Sequence, residues 1–161
     1  VTHGHLDPAS REPIDPDVDL RHPAPAEVRA SELPVVTAIA IGGAIGASAR
    51  YLVGLAWPTP SGSLPWATFM INMVGCALIG VLIVLVSEVW TTHRLVRPFL
   101  GTGILGGFTT FSTYAVDIQG LLNDGHPVTA LLYLAITVIG ALAAVWATTT
   151  TTRALVHRRS R

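Results

Sequence analysis

The chain has 161 residues, 50% hydrophobic and 12% charged, and its 10 acidic and 10 basic side chains cancel. A soluble domain carries about twice that charged fraction, and the neutral balance gives no reason to expect a nucleic-acid partner. The single cysteine, Cys76, excludes an internal disulfide, and alone it makes no metal site.

Residues 1–33 read as a disordered acidic tail, rich in proline, with little apolar periodicity. Such a segment buries too little surface to offset its ordering entropy. It lacks the basic start and apolar core of a signal peptide. His3 and His5 read as solvated, because two ligands without further partners make a poor metal site.

Four apolar segments follow, at about 34–57, 64–90, 96–122 and 128–149, making a four-helix membrane domain over 34–152 with a basic tail at 153–161. Each segment is long enough, at ~1.5 Å per residue, to cross ~30 Å of hydrocarbon. Between 34 and 91 only Arg50 and Glu88 are charged, and between 98 and 152 only Asp117 and Asp124. Pro58, Pro60 and Gly62 punctuate the first loop, His93 and Arg94 lie in the second, and Asn123, Asp124, Gly125 and Pro127 make the third. Trp57, Trp66, Trp90 and Trp146 fall near span ends, where an indole sits at headgroup level.

Four spans put both termini on one side. Every basic residue is Arg, and all but Arg50 fall on that side: Arg11, Arg21, Arg29, Arg94, Arg97, Arg153, Arg158, Arg159 and Arg161. The positive-inside rule then predicts cytoplasmic termini in a multi-pass plasma-membrane protein. Gly42 with Gly46, and Gly103 with Gly107, are small-xxx-small pairs that let backbones approach, either within the chain or against a second subunit.

Few polar groups lie within the spans: Arg50, Asn72, the run 109–114, Asp117, Gln119, Tyr133 and Thr137. No nucleophile–base set, paired carboxylates or phosphate loop is present, so the pattern points to transport and not to an enzyme. Gly106 and Gly107 are poor helix formers and Thr109 and Thr110 are β-branched, which favours a break at this point. A break exposes carbonyls to a small cation and N–H groups to an anion. The alternative is an unbroken helix whose hydroxyls bond back one turn. Asn72 offers a neutral donor pair to an anion, or an interhelical hydrogen bond. Phe111 and Tyr114 share a helix face and present positive ring edges, or simply pack. Arg50 either snorkels to headgroups or gathers anions at a pore mouth. Asp117 either caps the polar run or pairs with Arg50.

GGAIGASARY at 42–51, Asn72 with Gly75 and Gly80, and GGFTTFSTY at 106–114 resemble the Fluc (CrcB) fluoride channel family. The resemblance covers about 34–149. It implies an all-α membrane fold of four transmembrane helices, the third broken at GGFTT, assembled as an antiparallel dimer with two fluoride pores. It implies a central sodium ion held by the backbone carbonyls of Gly106 and Thr109. The pore residues it implies are Asn72, Phe111, Tyr114, Tyr133 and Thr137, with Ser112 and Thr113 in the same polar run and Arg50 in a vestibule. The function implied is passive fluoride export.

Two features depart from the family pattern. Tyr114 stands where the family has Phe, which keeps the ring edge and adds a donor. The one-sided arginines suggest a fixed orientation, and hence pairing with an oppositely oriented homologue. Two other readings compete. A small-multidrug-type transporter would carry a glutamate in its first span, yet residues 35–56 contain no acid. An accessory, non-conducting subunit of a heterodimeric fluoride channel is disfavoured by the presence of Asn72, Phe111 and Tyr133.

Overall fold

The computed structural model describes residues 26–89 and 94–159, and all of the regular structure there is helical. Helix α1 is Ala26–Ala56; α2 is Trp66–Val84, prolonged by a wider π turn over Leu85–Val89. The third span is two helices. Helix α3 covers 98–108, wound as π turns over Pro98–Leu105 and as α over Gly106–Phe108, and α4 is Ser112–Asn123. Helix α5 is Pro127–Arg159.

The apolar windows of α1, α2 and α5 are each long and hydrophobic enough to span a bilayer, with mean hydropathy of 1.5, 2.7 and 2.4. With the broken α3–α4 pair they give the four expected spans. Large apolar side chains such as Ile41, Leu52, Val128, Leu131, Ile139 and Leu142 are exposed on the outside of the bundle. That arrangement suits lipid, where every backbone polar group must be satisfied internally and the outward face is free to be apolar.

Helix α1 begins earlier than the expected 34 and carries Pro34 inside it. The expected tail boundary therefore falls within a helix over 26–33; residues 1–25, with His3 and His5, lie outside the described residues, as does Trp90. Helix α5 also runs past the expected 149, so 153–159 continue it. Its 33 residues measure about 50 Å at ~1.5 Å each, well beyond the hydrocarbon. On its protruding end, Arg153 Nε meets Glu88 Oε1 of the α2 extension at 2.7 Å.

Helices α3 and α5 both start at prolines, whose missing N–H costs nothing in a first turn. The turn from α4 to α5 closes with Gly125 at φ +78°, Gly125 N–H donating to Leu122 O and His126 N–H to Leu121 O. These paired bonds form a Schellman cap, which needs the left-handed conformation glycine adopts without penalty.

The bundle packs as two layers, α1 against α3 and α2 against α5, with α4 on α5. The two small-residue pairs meet within the chain. A Cβ on Gly42 would lie 3.0 Å from Gly103 Cα, and one on Gly107 3.0 Å from Gly43 Cα. The core proper is Tyr114, Leu121, Ala130 and Tyr133, packed under Leu64, Phe69 and Ile118.

Candidate functional site

The break falls after the glycines and not at them. Gly106 is helical at φ −65°, ψ −36°, whereas Thr109 is extended at φ −73°, ψ 156°. Gly107 serves close approach to α1. Thr109 ends α3 by bonding back, its hydroxyl donating to Leu105 O at 2.9 Å. The back-bonding expected of an unbroken helix thus occurs once, at the last turn before the break.

Three neighbours hold the break open. Asn72 Nδ2 donates to Thr110 O at 2.9 Å, and Thr110 N–H donates to Asn72 Oδ1 at 2.9 Å. Thr110 Oγ1 accepts the Thr113 N–H at 3.1 Å, acting as a cap for α4. Arg50 Nε donates to Gly107 O at 3.1 Å. Gly75 leaves room for this packing, since a Cβ there would overlap the Thr109 methyl group.

These bonds have a consequence for the carbonyls. In a regular helix Thr110 N–H would bond Gly106 O, and Thr113 N–H would bond Thr109 O. Both donors are diverted, to Asn72 and to Thr110 Oγ1. Gly106 and Thr109 therefore lose their usual helical donors, while Gly107 O is taken by Arg50. Neutral backbone oxygens released in this way are the ligand type a hard cation takes.

Beside the break lies a cavity of about 340 Å³. Asn72, Cys76, Thr109, Thr110, Phe111, Tyr114 and Thr137 line it, with Val138, Ala141 and Leu142 completing the wall. Asn72 is 9% exposed and Thr137 5%. Thr137 Oγ1 is buried without a hydrogen-bond partner. Phe111 is 80% exposed, so the cavity is open on that side.

Four of the seven residues expected on a pore, Asn72, Phe111, Tyr114 and Thr137, thus meet at one cavity. Ser112 and Thr113 do not line it; their hydroxyls lie 3.3 and 3.0 Å from Thr110 Oγ1. Tyr133 stands behind Tyr114, ring centroids 5.2 Å apart, fully buried, with its hydroxyl donating to Asp117 Oδ2 at 3.4 Å. Asp117 therefore bonds Tyr133, and Arg50 turns to the break. Tyr114 is pinned by its hydroxyl, which donates to Leu134 O at 3.0 Å; its ring lies 5.8 Å from that of Phe111. Sequence reasoning took Thr110 only as a β-branched residue at the break and missed its capping hydroxyl. Its signal was position: it sits three residues before Thr113, at capping spacing.

Four spans, one of them broken, around a cavity with a few convergent polar groups define a multi-pass helical membrane transport protein. Residues 37–149 match the family described as CrcB-like protein, Camphor Resistance (CrcB). The chain is 59% identical to "Fluoride-specific ion channel FluC 2" of Streptomyces avermitilis over 76% of this chain and 78% of that one. It is 60% identical to "Fluoride-specific ion channel FluC 1" of Streptomyces coelicolor over 72% and 75% of the two chains. With "Fluoride-specific ion channel FluC 2" of Nocardia farcinica it shares 57% identity over 76% and 87%. The chain belongs to the CrcB family.

Proposed function

We propose that the chain is a fluoride-specific channel whose anion path runs along the cavity from Asn72, past the edges of Phe111 and Tyr114, to Thr137. The observation that carries this reading is the meeting of Asn72, Phe111, Tyr114 and Thr137 at one cavity whose wall is otherwise largely apolar, with the buried Thr137 hydroxyl lacking a partner among the described residues. Similarity to chains named as fluoride-specific channels supports the choice of ion.

Fluoride is small and strongly hydrated, so it leaves water only where short donor contacts replace the hydration shell. A carboxamide N–H, a hydroxyl and polarised ring edges offer such contacts without a fixed positive charge. Arg50 donates to Gly107 O, and among the described residues no cationic side chain lines the cavity. An anion that meets no buried cation can leave as well as enter, which conduction requires. Flow is passive, and under an outward gradient it lowers cytoplasmic fluoride.

Gly106 and Thr109 would hold a structural sodium ion through their released carbonyls. When bound, that ion supplies a fixed charge that balances the carbonyl dipoles at the break. The exposed Phe111 ring and the open side of the cavity support completion by a second subunit in an antiparallel dimer. Arginines concentrated at 94–97 and at the C-terminal end of α5 favour one orientation, with cytoplasmic termini. The partner is then a homologous chain of opposite orientation.

The test is ion efflux from liposomes, fluoride against chloride, for the chain alone and with a homologous partner. Fluoride efflux with negligible chloride efflux is expected; chloride leaving as fast as fluoride refutes the selectivity. Topology tagging addresses the orientation, and termini found equally on both sides of the membrane rule out the fixed insertion.

A further inference from the structure

A second groove lies away from the anion cavity, between the end of α2 and the start of α3, on the side of the bundle where α5 ends. Its volume is 320 Å³, about ten water volumes at ~30 Å³ each. Ile79, Leu82, Ile83 and Val86 make the α2 wall, and all are aliphatic. From Ile79 to Val86 the wall runs about 10 Å along the helix axis, at ~1.5 Å per residue. Ile83 is 46% exposed, so this wall faces outward to the hydrocarbon.

The α3 wall is Arg97, Gly101 and Thr102. Residues with the spacing of Arg97 and Thr102 point well apart on an α-helix. Over Pro98–Leu105 the chain is wound as π turns, which close at i→i+5, so Thr102 comes round beneath Arg97. Gly101 keeps the floor of the groove open, since a Cβ there would meet only Leu82 Cδ2, at 3.6 Å.

Arg97 is exposed at the rim, and its side chain has no hydrogen-bond or ion-pair partner among the described residues. Glu88, the acid at this end of α2, is engaged by Arg153 at 2.7 Å. A guanidinium with its charge uncompensated, set at the mouth of an aliphatic groove, matches an anionic head on a hydrocarbon tail. A free phosphate leaves the aliphatic wall unused. A phosphatidylcholine head balances its phosphate with its own ammonium.

We propose that this groove holds one anionic phospholipid from the leaflet on the side of the α5 terminus. Its phosphate lies on Arg97, its ester region beside Thr102 and Gly101, and one acyl chain along Ile79, Leu82, Ile83 and Val86. The lipid clamps the end of α2 to the start of α3. The inference goes beyond the fluoride-channel reading and does not depend on it.

The experiment is native mass spectrometry of the full chain, released from detergent with dioleoyl phosphatidylglycerol or dioleoyl phosphatidylcholine. Wild type, Arg97→Gln, Arg97→Lys, Gly101→Leu and Arg158→Gln are compared. Wild type is expected to retain one phosphatidylglycerol at least about fivefold more tightly than phosphatidylcholine, as for one cation meeting an anionic head. Arg97→Gln loses that preference, and Arg97→Lys keeps most of it. Gly101→Leu fills the floor and weakens both lipids. Arg158→Gln removes a charge from the same end of the bundle, outside the groove, and leaves the preference unchanged. Equal retention of the two lipids by wild type overturns the proposal, as does an undiminished preference in Arg97→Gln. Equal losses in Arg97→Gln and Arg158→Gln overturn it in favour of diffuse attraction to the basic end. Lipid held by the monomer but absent from the dimer overturns it in favour of a second subunit covering the groove.

Discussion

Asn72 holds Thr110 by both of that residue's backbone polar groups, with donor–acceptor distances of 2.9 Å in each direction. One side chain therefore does the work of a strand partner for one residue of the break. It also takes the N–H that would have occupied the Gly106 carbonyl. The carboxamide nitrogen carries two hydrogens, so one remains for the cavity side. The two uses of Asn72 weighed from sequence, anion donor and interhelical bond, are compatible in one residue.

Replacing Asn72 with Leu keeps the volume and removes both bonds. Each bare backbone group left in a buried place costs about 1–3 kcal/mol. The break is then expected to loosen or to close into helix, with Gly106 O regaining its donor. Fluoride efflux is expected to fall by about tenfold or more, since 1.4 kcal/mol corresponds to one decade. The thermal midpoint should fall with it. Asn72→Leu with wild-type efflux and midpoint would show that the break stands without this residue.

Thr137 makes the opposite prediction for stability. Its hydroxyl is buried and has no hydrogen-bond partner among the described residues. A buried hydroxyl without a partner costs about 1–3 kcal/mol. Thr137→Val is nearly isosteric and removes that cost. The variant is expected to be more stable, by roughly 1 kcal/mol, and to conduct fluoride less well. Thermal melting and liposome efflux should move in opposite senses. Lower stability with unchanged efflux would assign the hydroxyl a structural bond instead.

How legible was this from sequence? The spans were, because charge-poor apolar runs and their tryptophans report bilayer thickness directly. The location of the break was legible only to within a turn. Gly106 and Gly107 advertise helix weakness, but glycine spent on close packing looks the same in sequence as glycine spent on a break. Only the backbone at Thr109 separates the two. The roles of Ser112 and Thr113 were not legible, because a hydroxyl's direction depends on the competing partner, here Thr110 Oγ1. The helical reach of α1 back to Ala26 was hidden by the prolines and acids that mark the tail.

Glycine packing gives a further test within one helix. A Cβ on Gly46 would overlap the Ile104 carbonyl and lie 2.8 Å from Phe108 N, whereas one on Gly54 meets nothing within 4 Å. Gly46→Ala must push α1 away from α3 at the turn that carries Gly107 and the Arg50 contact. Overpacking against backbone costs about 1–3 kcal/mol. Gly54→Ala should be neutral or stabilising by up to about 1 kcal/mol through helix propensity. Detergent-solubilised yield and thermal melting compare the two; equal behaviour would mean that α1 and α3 do not pack on these glycines.

Tyr114 carries a hydroxyl on its cavity-lining ring, and that hydroxyl is engaged with Leu134 O at 3.0 Å. That bond fixes one of two neighbouring rings to α5, while Phe111 is 80% exposed and has no such anchor. Tyr114→Phe keeps the ring edge and loses a bond worth about 0.5–1.5 kcal/mol. Efflux is expected to change by no more than about tenfold, the effect of 1.4 kcal/mol, with a small drop in thermal midpoint. Tyr114→Ile removes the ring and with it the polarised edge, and is expected to abolish most fluoride efflux while chloride stays excluded. Fluoride efflux at the wild-type level in both variants would mean that this ring lines no working pore.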